Sequence, residues 1–504
     1  MKSEPIALTH SVEDRPAKGR PLKVALVSLY DYGSLGVRSL HATLRTHGID
    51  VHSIFFKRLR YNNIQPPTEA EFGLVVEQLQ RLRPDLVGIS LRSSFFDIAR
   101  ILTERVKEVL GVPVVWGGTH ATLNPEGCIG HCDYVVVGEG EYPLLDIADA
   151  LQHGKPDDAI PNVWRNLNGV ISRNEPRWLA DLDPLPFPDW TDADKSFVED
   201  NAFERVPSGD LSEYVIMTAR GCPFRCTYCC NNALHRIYDG RGKWSRRRSV
   251  DGVIQELREA KSTFPRMARV NFQDDVFTMD AAWTKDFAEK YHAEIGLPFT
   301  AMTHPAYCQD EILALLKRAG LRALKMGIQS GSYEIRRGLF QRYQTDEMIF
   351  TAADTIARHG IDISYDIIVN NPYETTRDKT ITLDLLLRLP RPFKLTVYSL
   401  IYFPHTELTE KALRDGFITE ADVEDHRKKT FSHWRMRLDL QEQKEDQFYC
   451  TLYRLAASVT PKWFVRAAGR SETLKHHPSL LPPARHMDYV SYVVRGIRKR
   501  LRPR

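Results

Sequence analysis

The sequence predicts an α/β protein: a doubly wound parallel sheet, then a partial parallel barrel of six strand–helix units, then a mostly helical C-terminal region. Three observations predict it. Short apolar runs alternate with helical periodicity from Leu22 to Val137, a proline-rich stretch without periodicity spans 156–210, and the alternation resumes at Tyr214. At 504 residues the chain exceeds what one core usually serves, so more than one domain is expected. The predicted divisions are a polar arm (1–21), a first unit (22–155), a linker (156–210), a second unit (211–415) and a helical region with a basic tail (416–504).

In the first unit, strands are expected at Leu22–Leu29, Val51–Phe56, Leu86–Leu91, Val114–Trp116 and Tyr134–Val137. Helices fall at Leu35–Thr46, closed by Gly48, at Glu69–Arg83 and at Phe95–Leu110. In such sheets ligands bind at the carboxyl ends of the strands. Those ends carry small or turn-forming residues: Gly33, Ser34 and Gly36; Ser90, Arg92, Ser93 and Ser94; Gly117, Gly118, Thr119 and His120; Gly138, Glu139, Gly140 and Glu141. Glycines end strands in any α/β domain, so one such loop means little, whereas four on one rim suggest a ligand. Pro184, Pro186 and Pro188 mark the linker as irregular. Strands of the second unit are expected at Tyr214–Ala219, Arg269–Gln273, Phe299–Thr303, Ala323–Ile328, Ile363–Val369 and Lys394–Leu400.

Charge and composition exclude some classes. Lys+Arg of 69 against Asp+Glu of 65 gives +4, which argues against a nucleic-acid binder. No apolar run reaches the length of a membrane span and the first 20 residues lack a signal-peptide core, so a soluble, cytoplasmic protein is expected. Among eight cysteines, four crowd into 222–230. In a reducing compartment that pattern points to metal ligation over disulfides. The C-x3-C-x2-C spacing of Cys222, Cys226 and Cys229 suits three irons of a cubane, with the fourth iron open. Zinc wants a fourth ligand, which Cys230 supplies only awkwardly. Cys128, His131 and Cys132 are expected to be structural.

The run Arg220-Gly-Cys-Pro-Phe-Arg-Cys-Thr-Tyr-Cys resembles the radical S-adenosylmethionine (SAM) superfamily. The resemblance implies a [4Fe–4S] cluster on Cys222, Cys226 and Cys229, with Tyr228 near the adenine of SAM. Phe272-Gln-Asp-Asp, Gly327-Ile-Gln-Ser-Gly-Ser and Tyr365-Asp-Ile-Ile-Val-Asn-Asn-Pro resemble SAM-contacting segments of that family. They nominate Asp274, Asp275, Gln329, Ser330, Ser364 and Asp366. His405 stands where the family's Phe-Pro-Gly-Thr turn has glycine, and Glu334 is displaced from the usual acid. The Trp116-Gly-Gly-Thr-His and Val137-Gly-Glu-Gly-Glu segments make the first unit similar to the Rossmann-like cobalamin-binding domain of cobalamin-dependent radical SAM enzymes. Its rim would then hold cobalamin, with His120 at the corrin periphery and the Ser90–Ser94 loop beneath cobalt. Leu29-Tyr-Asp-Tyr-Gly-Ser-Leu-Gly lacks the histidine that many cobalamin proteins place under the metal, so cobalt without a protein imidazole is expected.

The activity implied is methylation of an unactivated carbon through a 5′-deoxyadenosyl radical and methylcobalamin. Non-methylating oxidation, cyclisation or ring rearrangement with the same cofactors, and a non-catalytic corrinoid carrier, stay open. The implied partners are an organic substrate and an electron donor such as flavodoxin or ferredoxin. Two basic segments have an alternative use: Arg236–Arg248 as an anion site, and the apolar and basic residues of Tyr489–Arg502 as a peripheral membrane contact. For each, an ordinary solvated or packed segment is the competing account.

Overall fold

The computed structural model describes residues 20–59, 65–428 and 444–481. Its first sheet comprises β1 (Lys23–Leu29), β2 (Asp50–Phe56), β3 (Leu86–Ser90), β4 (Val114–Gly117), β5 (Tyr134–Val136), β6 (Val163–Leu167), β7 (Val170–Arg173), β8 (Lys195–Glu199) and β9 (Ala202–Glu204). The spatial order is β7-β6-β5-β4-β3-β1-β2-β8-β9. Because β1 pairs in parallel with both β2 and β3, the order reverses between β1 and β3, and the ligand crevice of a doubly wound sheet opens there.

Both faces of this sheet are covered, which is why its strands are continuous apolar runs. Val24 and Leu26 join a core with Val37, Leu44, Leu144 and Ile147 of helices Leu35–Thr46 and Glu141–His153. Ala25, Val27 and Leu29 join the opposite core with Phe72, Val75, Ala99 and Leu102 of helices Glu69–Leu82 and Phe96–Leu110.

The linker expected to be irregular is so only in part, with no regular element between Arg173 and Lys195. It supplies β6 to β9, which extend the sheet at both edges as the hairpins β6–β7 and β8–β9. Asn168 and Gly169, and Asp200 and Asn201, all have positive φ, as two-residue turns of the I′ type require. β7 and β9 form the sheet's two edges, and with β6 they are short strands with half-exposed faces, so no apolar period marks them. The proline run between the hairpins packs toward the rim, where Leu182, Leu185, Pro186 and Pro188 wall a cavity.

The second unit begins with β10 (Glu213–Ile216), followed by the two-residue strands β11 (Ala219–Arg220) and β12 (Arg246–Arg247), which pair antiparallel. Then come β13 (Arg269–Phe272), β14 (Phe299–Thr303), β15 (Leu321–Gln329), β16 (Asp362–Val369) and β17 (Lys394–Ser399). With β10 these five make a six-stranded parallel sheet in sequence order. Its edges β10 and β17 do not pair, so the sheet is open and a closed barrel is absent among the described residues.

One face of this sheet is apolar: Ile216, Val270, Phe272, Leu324, Met326, Tyr365, Ile367 and Val397 pack beneath the connecting helices. Residues one position away form a polar network. Asn271 bonds Thr300 at 3.2 Å, and Lys325 reaches Asp366 at 3.1 Å and the Tyr398 hydroxyl at 2.9 Å. Period-two alternation therefore separates a core face from a face that can solvate a polar ligand.

The helix Lys444–Ala457 shares this apolar core and is tied to helix Thr376–Arg388 by Lys379, 2.6 Å from Asp446. The helix Glu420–Lys428 returns to the first unit and lies against the Ser93–Phe95 turn. The basic tail considered for membrane contact lies outside the described residues. Within them, no helix is long and apolar enough to cross a membrane.

Candidate functional site

The cysteine loop leaves β11 at Gly221, whose φ of 86° and close approach to Trp244 leave no room for a side chain: a Cβ would sit 2.3 Å from the Trp244 carbonyl oxygen. The Trp244 indole N–H then donates to the Cys222 carbonyl at 3.1 Å, fixing the start of the loop. Cys229 has extended backbone and precedes helix Cys230–Ile237, so Cys230 already belongs to that helix. Burial pushes the Cys222 thiol up to about 12, Asp275 adding to it. Burial raises Cys226 as well, against the opposing Arg342 guanidinium, and Cys229, hydrogen-bonded to Cys230, is also raised. Cys222 feels both other thiols.

No three His, Cys, Asp or Glu side chains among the described residues converge as one metal ion would need. Three thiols carried on one loop suit a cluster, in which each sulfur binds its own iron. Metal binding would draw off the protons that burial now holds on these sulfurs.

The segments expected to meet SAM reach this loop unequally. Tyr228 packs edge-on against Phe340. Gln329 sits where β15 shifts register, with a φ of 72°, a left-handed conformation that side chains rarely adopt without reason. Asp275 is solvent-exposed next to Asp274 and accepts from Asn231 at 3.0 Å; partial desolvation, with Asp274 beside it, pushes it up to about 6. Ser364 lies two register pairs from Asp366, on the same polar face.

Asp274 must be corrected. It is buried, accepts the backbone N–H groups of Thr218 and Ala219 at 2.6 and 3.1 Å and the Thr218 hydroxyl, and lies 3.5 Å from Arg247. It anchors the approach to the cysteine loop and has no face left for SAM. Asp274→Ala is expected to cost about 2–3 kcal/mol, because two backbone donors and a guanidinium lose their acceptor. Urea unfolding checks this, and an unchanged midpoint refutes it.

Ser330 is likewise buried, its hydroxyl bonded to Glu374 at 2.6 Å, and Asp366 is engaged by Lys325. Glu334 and His405 are exposed.

At the first unit's rim, the loops after β1, β3, β4 and β5 surround a cavity of about 330 Å³. Gly36, Gly88, Gly117, Gly118, Gly138 and Gly140 all line it. A Cβ added at Gly36 or Gly117 would meet no protein atom within 4 Å, so the bare backbone leaves open space that a large planar ligand can fill. The residues present fit cobalamin at this crevice. Ser90 also lines it, and Gly33 and Thr119 are exposed nearby.

Other rim residues serve the protein itself. Ser34 caps helix Leu35–Thr46, and Arg92 pairs with Asp31. His120, expected at the corrin periphery, is fully buried against Phe96, and its Nδ1 lies 2.9 Å from the Ser93 hydroxyl, so both stand behind the rim as a brace between two loops.

Glu139 and Glu141 line the same cavity and also face the second unit. Arg220 of β11 lies 2.5 Å from Glu141 and 3.4 Å from Glu139, and Arg246 of β12 also pairs with Glu139. Burial opposes ionisation of Glu141, but Arg220 and the Ser39 hydroxyl hold its pKa below the usual value. The Glu139 N–H donates to the Tyr238 hydroxyl at 2.9 Å.

Much of the basic run 236–248 is therefore neither solvated nor an anion site. Arg246 joins this seam, Arg248 pairs with Glu256, and Arg247 stacks over Trp283 at 4.4 Å.

Sequence reasoning missed several groups. Arg342 donates to the Cys226 sulfur at 3.6 Å and to the Gly327 carbonyl at 2.9 Å, joining the cysteine loop to the end of β15. No spacing rule links residues so far apart in sequence. Glu374, raised to about 7 by burial and Asp378, lies two residues beyond the Tyr365–Pro372 segment.

Two α/β units joined so that a cysteine loop abuts a glycine-lined rim define an iron–sulfur enzyme with a second cofactor domain. Residues 216–386 match the Radical SAM superfamily model and residues 21–148 the B12 binding domain model. The chain thus carries a B12-binding domain followed by a radical SAM domain, the pairing that a [4Fe–4S] cluster, SAM and cobalamin would serve.

An uncharacterised methyltransferase of Pyrococcus horikoshii is 27% identical over 353 residues, 69% of this chain and 73% of that protein. An anaerobic magnesium-protoporphyrin IX monomethyl ester cyclase of Cereibacter sphaeroides is 23% identical over 290 residues, 54% of this chain and 44% of its own. The solved structure of the radical SAM methyltransferase TsrM from Kitasatospora setae, with tryptophan and a SAM analogue bound, superposes with a TM-score of 0.61 at 18% identity, covering 78% of this chain and 76% of that one. At that identity the likeness is one of fold.

Proposed function

We propose that this enzyme transfers a methyl group to an unactivated carbon of an organic substrate. The observation that carries the proposal is the seam: Arg220, two residues before Cys222, is ion-paired to Glu139 and Glu141 on the rim expected to hold cobalamin. The two cofactor sites are thereby held side by side, which a reaction using both in one turnover needs. The methyltransferases of Pyrococcus horikoshii and Kitasatospora setae support the reading.

Bound together, the cofactors supply a hydrogen-abstracting 5′-deoxyadenosyl radical and a transferable methyl group. The chain's own residues then have the following work. Cys222, Cys226 and Cys229 ligate the cluster. Arg342 offers the SAM carboxylate a cation, Tyr228 flanks the adenine, and Gln329, Asp275 and Ser364 supply polar contacts. Gly36, Gly88, Gly117, Gly118 and Gly140 give the corrin its bed, and Gly33, Ser90 and Thr119 lie at its margin. Asn271, Thr300, Lys325 and Tyr398 line a polar face on which the substrate is oriented. An electron donor of flavodoxin or ferredoxin type delivers the reducing equivalents.

The cyclase relative uses a similar chain for an outcome without methyl transfer, so product analysis decides. The expected result is S-adenosylhomocysteine and 5′-deoxyadenosine formed in equal amounts as substrate is consumed. Formation of 5′-deoxyadenosine alone would mean oxidation, cyclisation or rearrangement. Formation of neither, in reduced and reconstituted protein, would leave a corrinoid carrier.

A further inference from the structure

One buried polar group beside the cysteine loop has nothing to bond to. His304 follows β14 and is 1% exposed. Its Nδ1 accepts the backbone N–H of Ala306 at 3.2 Å, capping the Pro305–Tyr307 turn. A ring nitrogen that accepts carries no proton, so in neutral imidazole the hydrogen is on Nε2. Burial, with Arg342 adding to it, lowers the pKa to about 3, so the ring stays neutral under any working condition. The Nε2–H group is thus a fixed donor, and no acceptor meets it among the described residues. Buried donors are paired in native folds almost without exception, and an exception marks a missing partner.

The surroundings say which partner. The imidazole stacks on Phe224 with centroids 3.9 Å apart and planes 26° apart, and Phe224 lies midway between Cys222 and Cys226. Arg342, the cation that acts on His304, touches the Cys226 sulfur. Resting on the assignment of the cysteine loop to a cluster that binds SAM, we propose that His304 donates a hydrogen bond from Nε2 to an acceptor atom of the group held there. That acceptor is a cluster sulfur or an oxygen of SAM. His304 is then a positioning residue that tunes the reduction step or holds SAM. A hydrogen bond to a cluster sulfur raises the reduction potential, and its loss lowers it.

The test compares reconstituted wild type, His304→Phe and His304→Asn, with iron and sulfide counted and the cluster potential followed by EPR titration with and without SAM. Phenylalanine keeps the stacking ring and loses donor and cap. Asparagine keeps a capping acceptor, loses the ring and is too short to donate from the Nε2 position. All three proteins are expected to carry a full cluster. Both variants are expected to show the same shift to more negative potential, or, if the acceptor is on SAM, an unchanged SAM-free potential with about three- to tenfold weaker SAM binding. A change in the asparagine variant alone would trace to the stack, a change in the phenylalanine variant alone to the cap, and no change in either to an idle histidine; each overturns the proposal. Wild type that assembles no cluster overturns the cluster assignment instead.

Discussion

Replacing Cys222, Cys226 or Cys229 singly by alanine is expected to leave a folded protein that assembles no complete cluster and cleaves SAM at background rate, while Cys230→Ala keeps both. The asymmetry follows from the backbone. Cys229 ends the extended loop, whereas Cys230 lies inside the following helix, where its side chain serves as a hydrogen-bond neighbour of Cys229. With only three thiolate ligands, losing one leaves two, and a cubane held at two corners is not retained. Iron and acid-labile sulfide, counted after anaerobic reconstitution, check the series. Loss of the cluster in Cys230→Ala, or a full cluster in any of the other three, refutes the ligand set.

Arg220→Met is expected to destabilise the chain by about 3–5 kcal/mol and to loosen one unit from the other, because it leaves buried Glu141 without its cation, held only by neutral donors: the Ser39 hydroxyl at 3.3 Å and its own backbone N–H. The pH dependence has a definite sign. The folded-state pKa of Glu141 is depressed below its ordinary 4.5, so its contribution is complete above that value and lost as pH falls through the lower folded one. The gap in unfolding free energy between wild type and variant is therefore expected to close as the solution is acidified below about 4.5. Urea titrations at several pH values measure it. A gap that stays constant would mean that Arg220 acts through packing of its side chain and not through Glu141.

The parallel strands were legible nearly to the residue because each buries at least one full face, and those of the first sheet bury both. Lys23–Leu29, Phe299–Thr303 and Asp362–Val369 all appear as apolar or alternating runs bounded by turn formers. The edge hairpins were not, since Val163–Leu167 and Val170–Arg173 bury little; yet the Asn168-Gly169 pair between them was a usable turn signal that proline content outweighed.

The cysteine loop was legible because its ligands are neighbours in sequence. The rim was legible only in part. Glycines announce open backbone, but nothing in Val137-Gly-Glu-Gly-Glu distinguishes an acid that faces a ligand from one that faces Arg220 across 79 positions. The same limit hid Asp274, whose partners Thr218 and Ala219 lie on another strand's end, and Arg342, which comes to Cys226 across 116 positions. Local pattern predicts elements, whereas side-chain pairing across units is decided by the fold.

Gly138 carries a last consequence. A methyl group there would fall 1.9 Å from the Tyr238 hydroxyl, and the φ of 96° adds strain to any side chain. The two units thus touch through bare backbone at this point, pinned on either side by arginines. Such a seam works as a fixed gauge: the clearance between corrin bed and cysteine loop is set by the sequence at the joint before any ligand arrives. New substrate ranges in proteins built this way should therefore arise on the polar face of the second sheet, with the joint left unchanged.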